Sequence, residues 1–360
     1  MFLWLRITRR LPPLRLRAQV APVGPVCRRE FREAAAESCR CGDKREEIRW
    51  SHRQKTIIPD HDGGTFTPIE ATTVATWKAP AFLENLAVDA DGAVFVTVYS
   101  HNRVDRYNPA TGATTTFAEV PAPPMGLAFD ADGVLWVTGG TLYERPGFIW
   151  RVERGGAVRQ WCELPDATFM NGCTMHPNGR MLLACESSSG HILAIDLGQP
   201  RRCDVWLQGD RLRPVVPRWP GSNGIKIRQG WAWITVSGRR LLVRVPIQPD
   251  GSAGAIDSAA ARLSADDFAF GMSGSLYLTT HPEHTLVRLD PSGARTTFAG
   301  PEQGMVGSTA CAFGRAPGDE KALYVTTDGG FLIPHESGIQ DAKLVRMEVG
   351  ESGWPLLQGV

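Results

Sequence analysis

Glu84, Asn171, Asn223 and Asp266 are the residues in this sequence best suited to chemistry together. Each opens a short apolar segment, followed by a turn rich in Gly, Asp or Asn and then a second apolar segment. Two carboxylates and two amides offer oxygen atoms alone, which suits a hard divalent cation. Ca²⁺ fits this set first, with Mg²⁺ or Mn²⁺ as alternatives. The absence of His and Cys argues against a dedicated zinc site without forbidding Zn²⁺.

Their spacing follows a repeat. The copies read ENLAVDADGAVFVTV from Glu84, MGLAFDADGVLWVTG from Met125, NGCTMHPNGRMLLAC from Asn171 and NGIKIRQGWAWITV from Asn223. DDFAFGMSGSLYLTT from Asp266 and TACAFGRAPGDEKALYVTT from Thr309 complete the series. Each is a hairpin signature: alternating strand, tight turn, apolar strand. A third strand follows every copy, as in NRVDRYNP or GHILAID, and a fourth, more polar one follows several, as in TTTFAEV. The first residues of successive copies lie 41, 46, 52, 43 and 43 positions apart. A four-stranded unit at a period of ~40–50 residues marks a β-propeller blade. Six copies predict an all-β fold, a six-bladed β-propeller over about residues 66–357. Two stacked sandwich domains would not repeat so regularly. TVATWKAP, residues 73–80, is expected as the outer strand of the last blade, so that both ends of the chain close one sheet.

Innermost strands line the central channel of a propeller. The six copy-opening residues therefore form a ring at one mouth of it: Glu, Met, Asn, Asn, Asp, Thr. Four of the six supply side-chain oxygen suited to a cation, which predicts one divalent metal in the channel. Asn85 and Asp267, each directly after a ring residue, are weaker candidates that could reach a deeper ion or orient a ligand.

The first 60 residues read differently. They carry a net charge of +7, and residues 61–360 carry −6. The first 29 residues hold seven Arg and no acid. Arg interrupts every apolar stretch that could serve as a secretory signal, which points to a cytoplasmic protein. The segment 1–65 reads as a disordered or spurious Arg-rich extension, with an organelle-targeting role left open. The mildly acidic remainder gives no nucleic-acid surface. No run approaches the ~18 uncharged apolar residues of a membrane helix. Cys39 and Cys41 form no CxxC pair. Cys162, Cys173, Cys185, Cys203 and Cys311 are scattered singly and read as small buried hydrophobes. There is no GxSxG elbow, P-loop or HExxH, and His281 and His284 are separated by Pro282.

With these motifs in place, the chain resembles the regucalcin/gluconolactonase group of six-bladed propellers, related to paraoxonases, over about 280 residues. The GSNG-I segment at Asn223, DDFAF…LYLTTHP and STACAFG…ALYVTTDGG carry the resemblance. It implies one divalent metal on Glu84, Asn171, Asn223 and Asp266. His281 stands where paraoxonases carry a His. The chain departs from both relatives: Phe169 stands where sugar-lactone members place a substrate-gripping Arg, and Met125 where paraoxonases place a catalytic His.

The expected function is metal-dependent hydrolysis of a small-molecule lactone or related ester. Asp266 would act as general base, and Phe169, Trp219 and His281 would line the substrate pocket. The alternatives are a non-enzymatic propeller braced by its metal, or an isomerase or dehydratase on the same site. Oligomeric state is not legible in the sequence.

Overall fold

A computed structural model of the chain describes residues 64–355. The Arg-rich segment read over residues 1–65 lies, but for its last two residues, outside the described part. Twenty-five strands and four single-turn 3₁₀ segments make up the regular structure of the described residues.

The strands form six sheets, five of four strands and one of five. The first blade runs outward from the channel as Leu83–Val88, Val94–Val98, Arg103–Asn108 and Ala113–Glu119. The inner strands of the other five are Pro124–Phe129, Met170–Met175, Ser222–Arg228, Ala265–Phe270 and Ser308–Phe313. Each inner strand packs on that of the next blade, and the sixth returns to the first. The result is a closed six-bladed propeller.

Closure is made as the repeat predicts. Ala71–Trp77, within which most of TVATWKAP falls, pairs antiparallel with Ala342–Glu348 as the outer strand of the sixth sheet. Trp77 then reaches across the seam, and its indole N–H donates to Asp105 Oδ2 of the first blade at 2.7 Å. One strand was not foreseen. Thr65–Phe66 adds in parallel to the outer edge of the fifth blade, against Arg295–Ala299.

Alternating apolar residues on the two faces of each sheet fill the gaps between blades. Six apolar clusters result, one in each gap. The five cysteines of the propeller are unpaired thiols, and four of them are buried in these layers. No helix among the described residues is long and apolar enough to cross a membrane.

The inner strands share one irregularity that positions the ring. Glu84, Met125, Asn171, Asn223, Asp266 and Thr309 are each the second residue of their inner strand. In every blade the ladder to the next strand skips at that point, so each ring residue sits in a β-bulge. A bulge re-aims the side chain that it carries. Opposite it stands a fully buried Thr in four blades, namely Thr97, Thr138, Thr235 and Thr279. Each of these hydroxyls accepts the backbone N–H of the second bulge residue, at 2.7–3.2 Å. Each also donates to the ring residue's carbonyl in the following blade, at 2.6–2.9 Å. Thr309 Oγ1 donates to the Leu83 carbonyl at 2.8 Å and completes the circuit across the seam. In the third blade Cys185 takes the threonine's place, and Ser187 Oγ donates instead to the Ser222 carbonyl at 2.6 Å.

Candidate metal centre and its surroundings

The inner strands approach one another closely at the ring. A Cβ on Gly126 would fall 2.5 Å from the Asn171 carbonyl oxygen, and one on Gly172 2.7 Å from that of Asn223. No side chain fits after the ring residue in those blades. In the first and fifth blades the following residues are Asn85 and Asp267, and they meet each other: Asn85 Nδ2 donates to Asp267 Oδ2 at 3.2 Å.

Three residues of the predicted quartet are buried, and the fourth, Asp266, is partly buried. Glu84, Asn171 and Asn223 have relative exposures of 6%, 2% and 4%. Glu84 and Asp266 act on one another through their charges, together with Asp328 and Asp267. Burial is the largest cause that holds the Glu84 carboxyl well above its ordinary range, with repulsion from Asp266 next. Asp266 is pushed up to about 7, again by burial first. His281 pulls against that rise and Asp267 adds to it.

The amide of Asn223 has a determined orientation. Ser237 Oγ gives its proton to the Ala265 carbonyl at 2.7 Å, so toward Asn223 it can only accept. Asn223 Nδ2 donates to that oxygen at 2.9 Å and also to Asp266 Oδ1. Both amide hydrogens are thereby used, and Oδ1 is left as the free acceptor. Among the described residues, the Glu84 carboxylate and the Asn171 amide take no part in a recorded side-chain hydrogen bond. The two remaining members of the ring are no further help as ligands. Met125 is a fully buried thioether, and the Thr309 hydroxyl is spent on backbone.

These features fit a cation. Two carboxylates, one buried and one partly buried, repel one another, one has no donor, and an adjacent amide oxygen is aimed away from its own hydrogen bonds. Among the described residues, no group of three or more His, Cys, Asp or Glu is arranged to hold a metal. The quartet is of a different kind, since half of its donors are amides.

Asn85 and Asp267 do not reach for a deeper ion. Lys226 Nζ lies 2.7 Å from both Asp267 oxygens, and the pair is almost fully enclosed. The protein's own ammonium occupies the lower channel and neutralises Asp267. Among the described residues, Glu84 has no ion-pair partner, and His281 is the basic group whose charge acts on Asp266.

Asp328 is the site residue that sequence reasoning missed. It is fully buried just after the sixth blade's second strand, in TTDGG. Its carboxylate accepts the N–H of Gly330 at 2.6 Å and of Leu332 at 3.1 Å. His281 Nε2 faces it at 3.5 Å, buried and without a closer partner. Burial works to lower the His281 pKa, but Asp328, and after it Asp266, outweigh burial and raise it. The Asp-Gly-Gly turn was the available signal, and it reads equally well as an ordinary loop.

The three predicted pocket residues all lie on connections at the mouth bearing the ring. Phe169 precedes the third inner strand and meets Tyr143 edge-on, ring centroids 5.1 Å apart. Trp219 follows Arg218, whose guanidinium lies 5.8 Å over the Tyr143 ring. Tyr99 and Tyr143 are near enough to Glu84 for its charge to act on both phenols. Burial is the main cause that raises each, taking Tyr143 to about 12.

The arrangement defines a class: a six-bladed propeller with oxygen donors gathered at one mouth of its channel. No protein-family model matches the chain, and no curated protein matches it either. Solved structures do. A calcium-binding protein, regucalcin, from Agrobacterium tumefaciens superposes with a TM-score of 0.58 at 16% identity, over 82% of this chain and 99% of that one. A gluconolactonase from Xanthomonas campestris gives 0.56 at 13% identity, over 79% and 91%. A luciferin-regenerating enzyme gives 0.57 at 13%, over 79% and 99%. At the level of the fold, these bear out the resemblance read in the motifs.

Proposed function

We propose that this chain is a divalent-cation-dependent hydrolase of a lactone or related ester. The observation that carries the reading is the pair of mutually repelling carboxylates, Glu84 buried and Asp266 partly buried, beside an amide oxygen turned free of hydrogen bonds. Glu84, Asn171, Asn223 and Asp266 would hold the ion, Ca²⁺ by preference among hard cations. When bound, the cation supplies Lewis acidity, polarising a carbonyl and making water a better nucleophile at neutral pH.

The chain's own groups supply the rest. Asp266, held by the Asn223 amide, accepts the proton of the attacking water. Glu84 contributes charge. The amides of Asn171 and Asn223 add donors without neutralising the ion further. His281, held against Asp328, lines the pocket on the side of Asp266. The gluconolactonase among the similar structures supports the reaction class, and the calcium-binding regucalcin supports the choice of ion.

The test is a panel of lactones and aryl esters, assayed after chelation and after return of Ca²⁺, Mg²⁺, Mn²⁺ or Zn²⁺. Hydrolysis should vanish with the chelator and return with one of these ions. Asp266→Ala should abolish it. Asn171→Ala should weaken cation affinity and recover part of the activity at high metal. Hydrolysis that survives both substitutions and full chelation would overturn the mechanism.

A further inference from the structure

The walls above the ring carry a second message, which rests on the hydrolase reading. Six connections at this mouth hold aromatic side chains among the described residues: Phe82, Tyr99, Tyr143, Phe169, Trp219 and Phe331. Phe331 stacks on Phe82, two residues before Glu84, with ring centroids 5.7 Å apart. Tyr99 packs on the same Phe82 at 5.0 Å.

Most polar groups within this wall are already committed, though the Tyr99 hydroxyl, which accepts the Leu142 N–H at 3.0 Å, keeps its proton. Tyr143 Oη donates to the Arg218 carbonyl at 2.6 Å. The Glu186 carboxylate takes the N–H groups of Thr168, Phe169 and Ser189 and the Ser189 hydroxyl. Thr168 and Ser188 share their hydroxyls at 2.8 Å. A ligand rich in hydroxyls would lose water here and find few partners in exchange, which is costly for each unmatched group.

The rim continues the pattern. The two longest connections of the propeller, residues 208–221 and 328–341, have 14 residues each, and both open at this mouth. Asp328 and Phe331 tie the second to the site, and Arg218 ties the first through Tyr143. Seven large hydrophobic residues are exposed among the described residues, and four of them sit on these two loops: Val215, Val216, Leu332 and Ile339. Ordinary scatter would not concentrate them around one opening.

We propose that the site takes a lactone or ester with an apolar body, an alkyl chain or aryl ring, and discriminates against polyhydroxylated sugar lactones. The carbonyl would lie at the ring, and the apolar body would run up the aromatic wall between the two loops.

The experiment compares γ-lactones of increasing alkyl length with an aldonolactone on the cation-loaded protein. kcat/KM should rise with chain length, by up to about fourfold for each methylene that becomes buried. The aldonolactone should be the poorest substrate. Val216→Asp and Leu332→Asp change exposed residues, so the fold should survive, and each should flatten the dependence on chain length. Phe169→Leu should do so from within the wall. A flat series, or an aldonolactone that outpaces the alkyl lactones, overturns the substrate class while leaving the hydrolase reading intact. If no lactone is hydrolysed, calorimetry with the unreactive alkyl lactam and the sugar lactam still decides. Tighter binding of the alkyl lactam upholds the apolar site, and tighter binding of the sugar lactam refutes it.

Discussion

Asn223 donates one amide hydrogen to Asp266 and the other to Ser237, and this fixes which of its atoms faces away from the protein's own hydrogen bonds. A neutral residue is thereby made a directed oxygen donor, and its neighbour's carboxylate is held by the same contact.

It follows that Ser237→Ala should weaken cation binding although Ser237 is not itself a donor to the ion. Without the hydroxyl, the amide can turn its nitrogen toward the site. Losses of a supporting contact of this kind commonly cost ~10–100-fold in metal affinity. Asn223→Ala should cost at least as much. Calorimetric titration with Ca²⁺ measures both, and an unchanged affinity in Ser237→Ala would show that the amide is oriented by something else.

The raised carboxyls set a pH dependence. Unfolded, Glu84 and Asp266 release their protons in the ordinary carboxyl range. Folded and free of metal they hold them longer, to about 7 for Asp266. The stabilising preference for the neutral forms is complete below the ordinary carboxyl range and is lost as pH rises through about 7. In chelator, thermal stability should therefore fall between ~pH 4 and ~pH 7. Cation affinity should move the other way. It should rise over the same window by up to ~10-fold per pH unit for each proton displaced, then level off. Titrations in two buffers of different ionisation enthalpy count the protons. Binding that is indifferent to pH would remove Glu84 and Asp266 from the site.

Trp77 joins the sixth blade to the first, so its truncation tests the closure. Trp77→Ala empties a buried site and should cost ~3–5 kcal/mol. Trp77→Phe keeps most of the volume but deprives Asp105 of the indole N–H, and should cost ~1–3 kcal/mol. Arg103 also pairs with Asp105, which keeps the second loss moderate. Denaturant melts give both values, and equal losses would mean that volume contributes nothing at the seam.

The propeller was legible because its blades repeat. Six hairpins in one register place Glu84, Asn171, Asn223 and Asp266 at equivalent points without any knowledge of side-chain contacts. The closing strand was legible because Ala71–Trp77 has a strand pattern and no other sheet to join. Asp328 was not, because it follows the second strand of its blade and has no counterpart in the other copies. The bulges were also hidden, since a skipped pair leaves the alternation of LAVD or LAFD unchanged. Their signature is the recurring Thr of FVTV, WVTG, WITV and YLTT, which reads as an ordinary strand residue until the hydroxyl is seen bridging two blades. Lys226 was lost for a similar reason. A lysine three residues after a ring asparagine reads as a solvent-facing beat, but here it faces Asp267.

The Lys226–Asp267 pair gives the last expectation. Lys226 is 13% exposed at its side chain and Asp267 4%, so each charge depends on the other. Lys226→Met should leave a buried carboxylate with only Asn85 as donor and destabilise the protein by ~3–5 kcal/mol. Adding Asp267→Asn should restore most of that loss, because the amide needs no counter-charge. The single substitution also frees a carboxylate beside the metal ring, so high Ca²⁺ should partly rescue Lys226→Met and leave the double variant unaffected. Thermal melts of both variants with and without Ca²⁺ check this. Equal destabilisation of the single and double variants would show that Lys226 acts through packing against Phe268 and not through its charge.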